Sequence, residues 1–533
     1  MTDLVIASGL GSLPPGLRSE VLARADAAVL ILGDAPRLHT CSGVTELLSH
    51  DQRSALADEA LTIAEERTDD CRDAGLAGVQ LRAAQLSSAA KLDTFVGASE
   101  FLRAVAALRA AVTLLGPVRV TWYSDDQRLA SAVATATALP DFTLARAHGP
   151  QHSRSERLVE LLKRQRLDWS ARYLSTLPGA VRSRRALHDF THRGRSAAAA
   201  RSDGPEAGGP VLALFDVRNS GMIANLAAVT DAVRARGVHC VGLYMEPRVA
   251  AVLERDHPTL PILPLAVFSD GSVVRRALSV AGAVRRTMTG EVRRWSTAPA
   301  VPAVVAQVEG VASEVGTVRP SDTAALRSYL ADGFTWPYVA QGLIDVGALE
   351  TALTVLRPRA LLTSSDAHKY SRLAVLTAAR TGVRSMVVQH GAPVGERIYL
   401  PVTADVMATW GPWCWRWFAD RGVETSRLVS AGYPRGATRS APTSPRGAVS
   451  ALLFAAQPVA DDVTADLLQR VFAAMEERDE LRLTVRPHPG ESRRGLLAAI
   501  VARAPSHIQR RARLSVAGAP LAEDLSQADV VLS

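Results

Sequence analysis

The sequence predicts an α/β protein built from doubly wound parallel sheets, the last of them incomplete, with an extra α/β segment ahead of them. Three observations predict it. Short apolar runs of strand length alternate with amphipathic stretches of helix length, the pattern of βαβ units joined by right-handed crossovers. The alternation restarts twice, at Val211 and near Ala448. Polar residues cluster just after the apolar runs, at the carboxyl strand ends where open parallel sheets bind ligands.

Each segment follows in order. Residues 1–150 carry the strand-like runs "LVIAS", "AAVLILG" and "VRVTWY" between helical stretches, and are expected to form an N-terminal α/β domain of unassigned role. Residues 151–208 lose strand character, gain arginines and end in "GRSAAAARSDGPEAGGP", the composition of a basic helical segment followed by a linker. Residues 209–445 read as one doubly wound domain. "VLALFDV", a helix closed by Gly237, "VHCVGLYM" and "LPILPLAVF" precede a long helical middle. "ALLTSSD", "SMVVQHG", "DVMATWG" and "RLVSAGYPR" complete the domain. Residues 446–533 begin a further unit with "AVSALLFAAQP", a helix through Met475, "LRLTVRPHPGES" and "ARLSV". They end mid-strand in "LAEDLSQADVVLS", roughly half the length of a typical domain, so this unit is expected to be truncated.

Composition bounds the function. Of 533 residues 47% are hydrophobic, 21% charged and 5% aromatic, which is globular rather than disordered. The formal charge is +8, but the excess sits in residues 151–204, so no nucleic-acid partner is expected. Four scattered cysteines, Cys41, Cys71, Cys240 and Cys414, show no metal-binding spacing and point to a reducing compartment. With no leader pattern and no apolar run of about 18 residues, a cytoplasmic location is expected.

Among the motifs, "SGLGSLPPG" follows a strand but has Pro14 where a dinucleotide loop needs glycine, and reads as a turn. Strand-end sets are more informative. They comprise Asp216 with Asn219, then Ser365, Asp366 and His368, then Gln389 and His390, and finally Gly432 to Arg435. In "VRPHPGES" two prolines flank His488, with Arg486 before it; the loop is either a phosphate-binding device or a structural turn. One strand-end histidine is usually structural. Two of them, in units that would face a common cleft, favour group transfer: one imidazole takes a proton from an acceptor hydroxyl and the other meets a diphosphate. Residues 273–295 form an arginine-rich amphipathic helix that either packs on its domain or lies on an anionic membrane surface.

The ordered series "QHG", "ATWG", "AGYPR", "RPHP" and "LAEDLSQADVVLS" resembles nucleotide-sugar-dependent transferases of the GT-B fold, over about residues 209–533. It is most similar to the group containing the CDP-glycerol glycerophosphotransferases, the polysialyltransferases and the capsule polysaccharide transferases. The resemblance implies a GT-B pair of Rossmann-type domains, acceptor side first and donor-nucleotide side second. It implies His390 as catalytic base, and Arg486, His488, Glu523, Asp524 and Ser533 as donor nucleotide and phosphate contacts. Asp216, Asn219, Ser365, Asp366, Gln389 and Arg435 are the expected acceptor or cleft residues.

No metal and no cofactor are expected; the donor is a CDP-, CMP- or UDP-linked substrate and the acceptor a polysaccharide or lipid-linked glycan at the cell envelope. Gln389, where the glycerophosphotransferases carry tryptophan, and "GAT" after Arg435 favour a sugar over glycerol phosphate. The competing readings are a glycerophosphotransferase, a nucleotide-sugar epimerase, and a binding scaffold on a degraded transferase fold.

Overall fold

The computed structural model describes residues 2–146, 209–435 and 449–532, less residues 8–12, 14–16, 25, 33–35, 41–42, 49–51, 54, 58–59, 61–77, 125, 140, 217–219, 295–305, 309–310, 314–319, 394–398, 457–460, 488–493 and 516–520. The chain divides into two compact units, Met1–Thr438 and Arg439–Ser533.

The first unit holds two main sheets. One contains β1 (Thr2–Ala7), β2 (Ala27–Ile31), β3 (Arg37–Thr40), β4 (Gly43–Glu46), β5 (Val118–Ser124) and β6 (Phe142–Arg146), in the order β4-β3-β2-β1-β5-β6. Its three expected strands are β1, β2 and β5, paired in parallel through β1. Strands β3 and β4 add an antiparallel edge.

The other sheet restarts at β7 (Val211–Phe215), β8 (Cys240–Tyr244) and β9 (Ile262–Pro264). After a short hairpin of β10 (Ala306–Val308) and β11 (Val311–Ser313) it continues with β12 (Ala360–Thr363), β13 (Arg384–Val388), β14 (Val406–Thr409) and β15 (Leu428–Ser430). The order is β15-β14-β13-β12-β7-β8-β9 and every pairing is parallel. The chain winds outward one way from β7, returns to β12 at its side, and winds outward the other way. This is the doubly wound arrangement, with its switch point between β7 and β12. All five residues of β7 and of β8 are buried, as strands covered on both faces by crossover helices must be.

One continuous apolar core runs from Leu4 and Trp122 beside the first sheet to Leu212 and Leu361 of the second. The helices that join them are closely packed. A Cβ on Gly342 or Gly347 of the Trp336–Leu356 helix would come within 2.6 Å of Leu86 or 2.7 Å of Val273, so glycine sets the helix spacing there. The expected division within residues 151–208 lies outside the described residues.

One expectation changes here, and one open alternative narrows. The Trp336–Leu356 helix is long and apolar enough to cross a membrane, contrary to the reading that no such run exists; 72% of its apolar window is buried inside the protein, as for a core helix. The arginine-rich helix spans Gly271–Arg294 and packs on its domain, with Ala277, Ala281, Val284, Met288 and Val292 buried. Its apolar side is therefore spent on the core, leaving exposed arginines such as Arg275 and Arg286, together with Leu278, as its outward face.

The second unit contains β16 (Ala451–Ala455), β17 (Arg482–Arg486), β18 (Ala512–Leu514) and β19 (Val530–Leu532), all parallel, in the order β18-β17-β16-β19. This repeats the winding of the larger sheet on a smaller scale, around its own core of Leu452, Phe454, Phe472 and Val485. Two doubly wound parallel units in series, with an α/β segment ahead, is the fold class the alternation predicted. Within "ADVVLS" Val530–Leu532 form a strand, tied down where the preceding Asp529 Oδ2 accepts from the Ser450 and Ala451 amides at 3.0 and 2.9 Å.

Candidate functional site

Of the expected acceptor-side residues, Asp216, Ser365, Asp366 and Gln389 lie at the carboxyl ends of β7, β12 and β13, which are neighbours at the switch point. His390 follows β13 and reaches across to β12, its Nδ1 lying 2.8 Å from the carbonyl oxygen of Ser364. A carbonyl only accepts, so Nδ1 carries the hydrogen, and in the neutral ring Nε2 holds the free lone pair. The imidazole stacks on Tyr399, centroids 5.1 Å apart, and His368 stands 6.4 Å away. Burial pushes the His390 imidazole down to about 4, against the Ser364 hydrogen bond that favours its charged form. At neutral pH it is an uncharged proton acceptor.

The turn that presents His390 is held by its neighbour. Gln389 is fully buried, and both ends of its amide are engaged: Oε1 accepts from the Trp410 amide at 2.7 Å, and Nε2 donates to the Gly391 carbonyl at 2.7 Å. Its own carbonyl accepts from Trp410 Nε1 at 2.8 Å. Gln389 was expected to face the acceptor. The structure instead makes it the brace of the His-Gly turn, because no part of its amide is left to meet a ligand.

Asp366 is likewise turned inward. Its Oδ2 accepts from the Thr403 amide, from Thr403 Oγ1 at 2.9 Å and from the Ala404 amide at 3.1 Å, pinning the 400–404 loop beneath the site. Ser365 Oγ accepts from the Ala367 amide at 3.1 Å and shapes the turn before the Lys369–Arg380 helix. These two expected cleft residues are structural supports.

Asp216 differs. Its Oδ2 accepts from Ser371 Oγ at 2.7 Å and from the Ser371 amide at 3.2 Å, but Oδ1 is buried and makes no hydrogen bond among the described residues. Burial pushes this carboxyl up from the usual range, opposed by the nearby charge of His368. Asn219 lies outside the described residues.

Arg435 reaches back over the carboxyl edge of the sheet. Gly432, with φ +85°, turns the chain after β15, and Arg435 Nε donates to Asn225 Oδ1 at 2.9 Å in the Ser220–Arg234 helix after β7. The segment thus spans the ends of β14, β13 and β12. Tyr433 rides on it, 40% exposed, with its ring 4.8 Å from that of Trp410.

In the second unit Arg486, at the end of β17, is paired with Asp524, and Ser515 Oγ donates to the same carboxylate at 2.7 Å. Burial raises the Asp524 carboxyl, but the bonds from Ser515 and Arg486 outweigh it and hold it below the usual range. Both were expected to contact donor phosphates. Here they neutralise each other, so a phosphate would have to share Arg486 with Asp524. Glu523 is exposed in the first turn of the Leu521–Gln527 helix. His488 and Ser533 lie outside the described residues.

Sequence reasoning missed Tyr399, Trp410 and Ser371, which shape or support the His390 and Asp216 positions. Each contact joins segments 9 to 155 residues apart, among them Tyr399 with His390 and Ser371 with Asp216, and no local pattern announces it. Among the described residues no group of three or more His, Cys, Asp or Glu side chains is arranged to hold a metal ion.

No protein-family model matches the chain, and neither does any curated protein. Solved structures similar to it include a UDP-GlcNAc 2-epimerase from Neisseria meningitidis bound to UDP-GlcNAc, 8% identical, with 60% of this chain and 76% of the other covered and a TM-score of 0.32. A glycosyltransferase from Rickettsia africae is 10% identical over 61% of this chain and 73% of its own, with a TM-score of 0.33. MurG from Acinetobacter baumannii is 12% identical over 60% and 72%, with a TM-score of 0.32. Likeness of this extent assigns neither reaction nor substrate to this chain.

Proposed function

We propose that the chain is a glycosyltransferase of the GT-B kind, moving a sugar from a nucleotide-activated donor to a hydroxyl of a saccharide acceptor, with His390 as general base. One observation carries the reading: a neutral imidazole, fixed through Nδ1 to the Ser364 carbonyl, stands at the switch point of a doubly wound sheet with Nε2 free to take a proton. Ser364, Tyr399 and the Gln389 brace fix the ring, so little reorganisation is needed when the acceptor oxygen attacks the anomeric carbon. The proton passes to Nε2 and the nucleoside phosphate leaves. Asp216 Oδ1 accepts from a second acceptor hydroxyl. The donor phosphates, one in a CMP-linked and two in a CDP- or UDP-linked sugar, are assigned to Arg486 and His488 of the second unit.

The sites of action in this reading are the cytoplasmic face of the envelope and a lipid-linked or polymeric glycan, with the exposed arginines of the Gly271–Arg294 helix as an electrostatic contact to anionic lipid. The test is His390→Gln, assayed with UDP-, CDP- and CMP-sugars against a panel of oligosaccharide acceptors. Transfer should fall about 10²- to 10⁴-fold while nucleotide binding by calorimetry stays within about twofold. Transfer at the wild-type rate would remove His390 as base, and donor turnover without any acceptor would replace transfer by epimerisation or hydrolysis.

A further inference from the structure

Aromatic rings gather on the carboxyl edge of the larger sheet, beginning one strand over from His390. Trp410 follows β14, Trp413 stands in the first turn of the Pro412–Ala419 helix and Tyr433 follows β15. Trp413 is 58% exposed and Tyr433 40%. The rings nearest His390 are held in place. Trp410 donates through its amide to Gln389 Oε1 and through Nε1 to the Gln389 carbonyl, so the residue that braces the His390 turn also fixes this indole. Tyr433 meets Trp410 edge to face, with centroids 4.8 Å apart and planes at 75°. Its hydroxyl accepts from Arg435 Nη2 at 2.5 Å, while Arg435 Nε is anchored on Asn225. Tyr433 therefore has an ordered ring that is not buried.

An aromatic face fixed in water adds nothing to the core, and aromatic surface gathered beside a candidate centre marks a place for a ligand. The face of the ring carries the negative part of its quadrupole, so it attracts polarised C–H groups as well as apolar surface. A pyranose ring offers a face of such C–H bonds inside a rim of hydroxyls. Arg435 is exposed beside the Tyr433 ring, and the two bonds just named use two of the five N–H groups of a guanidinium. We propose that Tyr433 and Trp413 form a saccharide subsite. One sugar of the acceptor lays its C–H face on Tyr433 and accepts from Arg435 through a hydroxyl, and the next sugar of the chain meets Trp413. The edge-to-face packing of Trp410 on Tyr433 leaves no parallel slot between these two rings for a planar base, which favours a chair-shaped sugar as the occupant. The inference rests on the transferase reading in one respect, that the bound saccharide is the acceptor.

The full chain would be titrated with maltohexaose, cellohexaose and chitohexaose, with glucose and N-acetylglucosamine, and with uridine and cytidine, following binding by saturation-transfer NMR and tryptophan fluorescence. Wild type should bind at least one hexasaccharide, and more tightly than its single sugar. Tyr433→Ala and Tyr433→Leu should each weaken that binding about fivefold to tenfold, because neither has a π face, whereas Tyr433→Phe keeps the face and should stay within about threefold. Trp413→Ala should remove the advantage of the hexasaccharide over the single sugar. Both side chains are exposed, so these variants should fold as wild type does, read by thermal unfolding. No hexasaccharide binding by wild type overturns the proposal, as does unchanged affinity in Tyr433→Ala, or a Tyr433→Ala loss that falls on the nucleosides in place of the saccharides. Unchanged affinity in Trp413→Ala overturns the second ring. The two readings fail separately. Hexasaccharide binding that depends on Tyr433, without transfer from any donor, supports the subsite and removes the transferase; transfer with the same acceptor KM in Tyr433→Ala removes the subsite alone.

Discussion

At the scale of the residue, the behaviour of His390 follows from its surroundings rather than from its chemistry alone. A free imidazole would be half charged near pH 6.5. Burial against Tyr399 lowers this to about 4, so the imidazole stays uncharged over the whole neutral range. With His390 as base of the proposed transfer, the acid limb of kcat/KM should centre near pH 4; a limb at 6.5 would show that the ring is solvated in solution. Gln389 makes a second prediction. Gln389→Leu keeps the volume but strands the Trp410 amide and the Gly391 carbonyl, and should cost about 2–4 kcal/mol in urea unfolding. The same sequence motif thus holds two residues with different work. Both were legible as important, but only coordinates show that one is held at the strand end by Ser364 and Tyr399 while the other braces the turn.

At the scale of the element, the strands of the larger sheet were legible because each is a short apolar run closed by turn residues, and β7, β8 and β12 to β15 fall on the expected runs. Three strands of the first sheet were not. "RLHT" and "GVTE" are too short and too polar to stand out, and they become β3 and β4 only because β2 offers an open edge. Helix pairing was also hidden. Arg109 of the Lys91–Leu115 helix forms a two-pronged pair with Asp322 of the Pro320–Asp332 helix, at 2.8 and 2.6 Å, with Asp322 buried. Removing one partner leaves a buried charge. Asp322→Ala should destabilise by about 3–5 kcal/mol, whereas the double change Arg109→Met with Asp322→Leu should lie within about 1–2 kcal/mol of wild type, as measured by denaturant unfolding.

At the scale of the whole molecule, two buried titrating groups set opposing pH dependences. His390 has a folded value of about 4, below its ordinary 6.5, so the unfolded chain binds the extra proton and stability rises with pH across that interval. Asp345 has a folded value of about 7, above its ordinary 3.8, so the folded chain holds the extra proton and stability falls as pH rises from about 4 to 7. Between pH 4.5 and 6.5 the two slopes, each at most about 1.4 kcal/mol per pH unit, offset one another. Asp345→Asn should then gain about 2 kcal/mol relative to wild type over those two units, and His390→Gln should lose a similar amount. Parallel slopes in all three proteins, from unfolding at each pH, would contradict this account. The sequence by itself determined the α/β class, the two restarts of the winding and the strand-end positions of Asp216, Asp366 and His390, because periodicity and strand length are local properties of the chain. Only the tertiary structure decided which of those strand-end groups are spent on the protein and which are left for a ligand. Hydrogen-bond partners such as Ser371, Thr403 and Trp410 come from distant segments, and burial, which sets the charge of His390 and Asp345, exists only once those segments have packed.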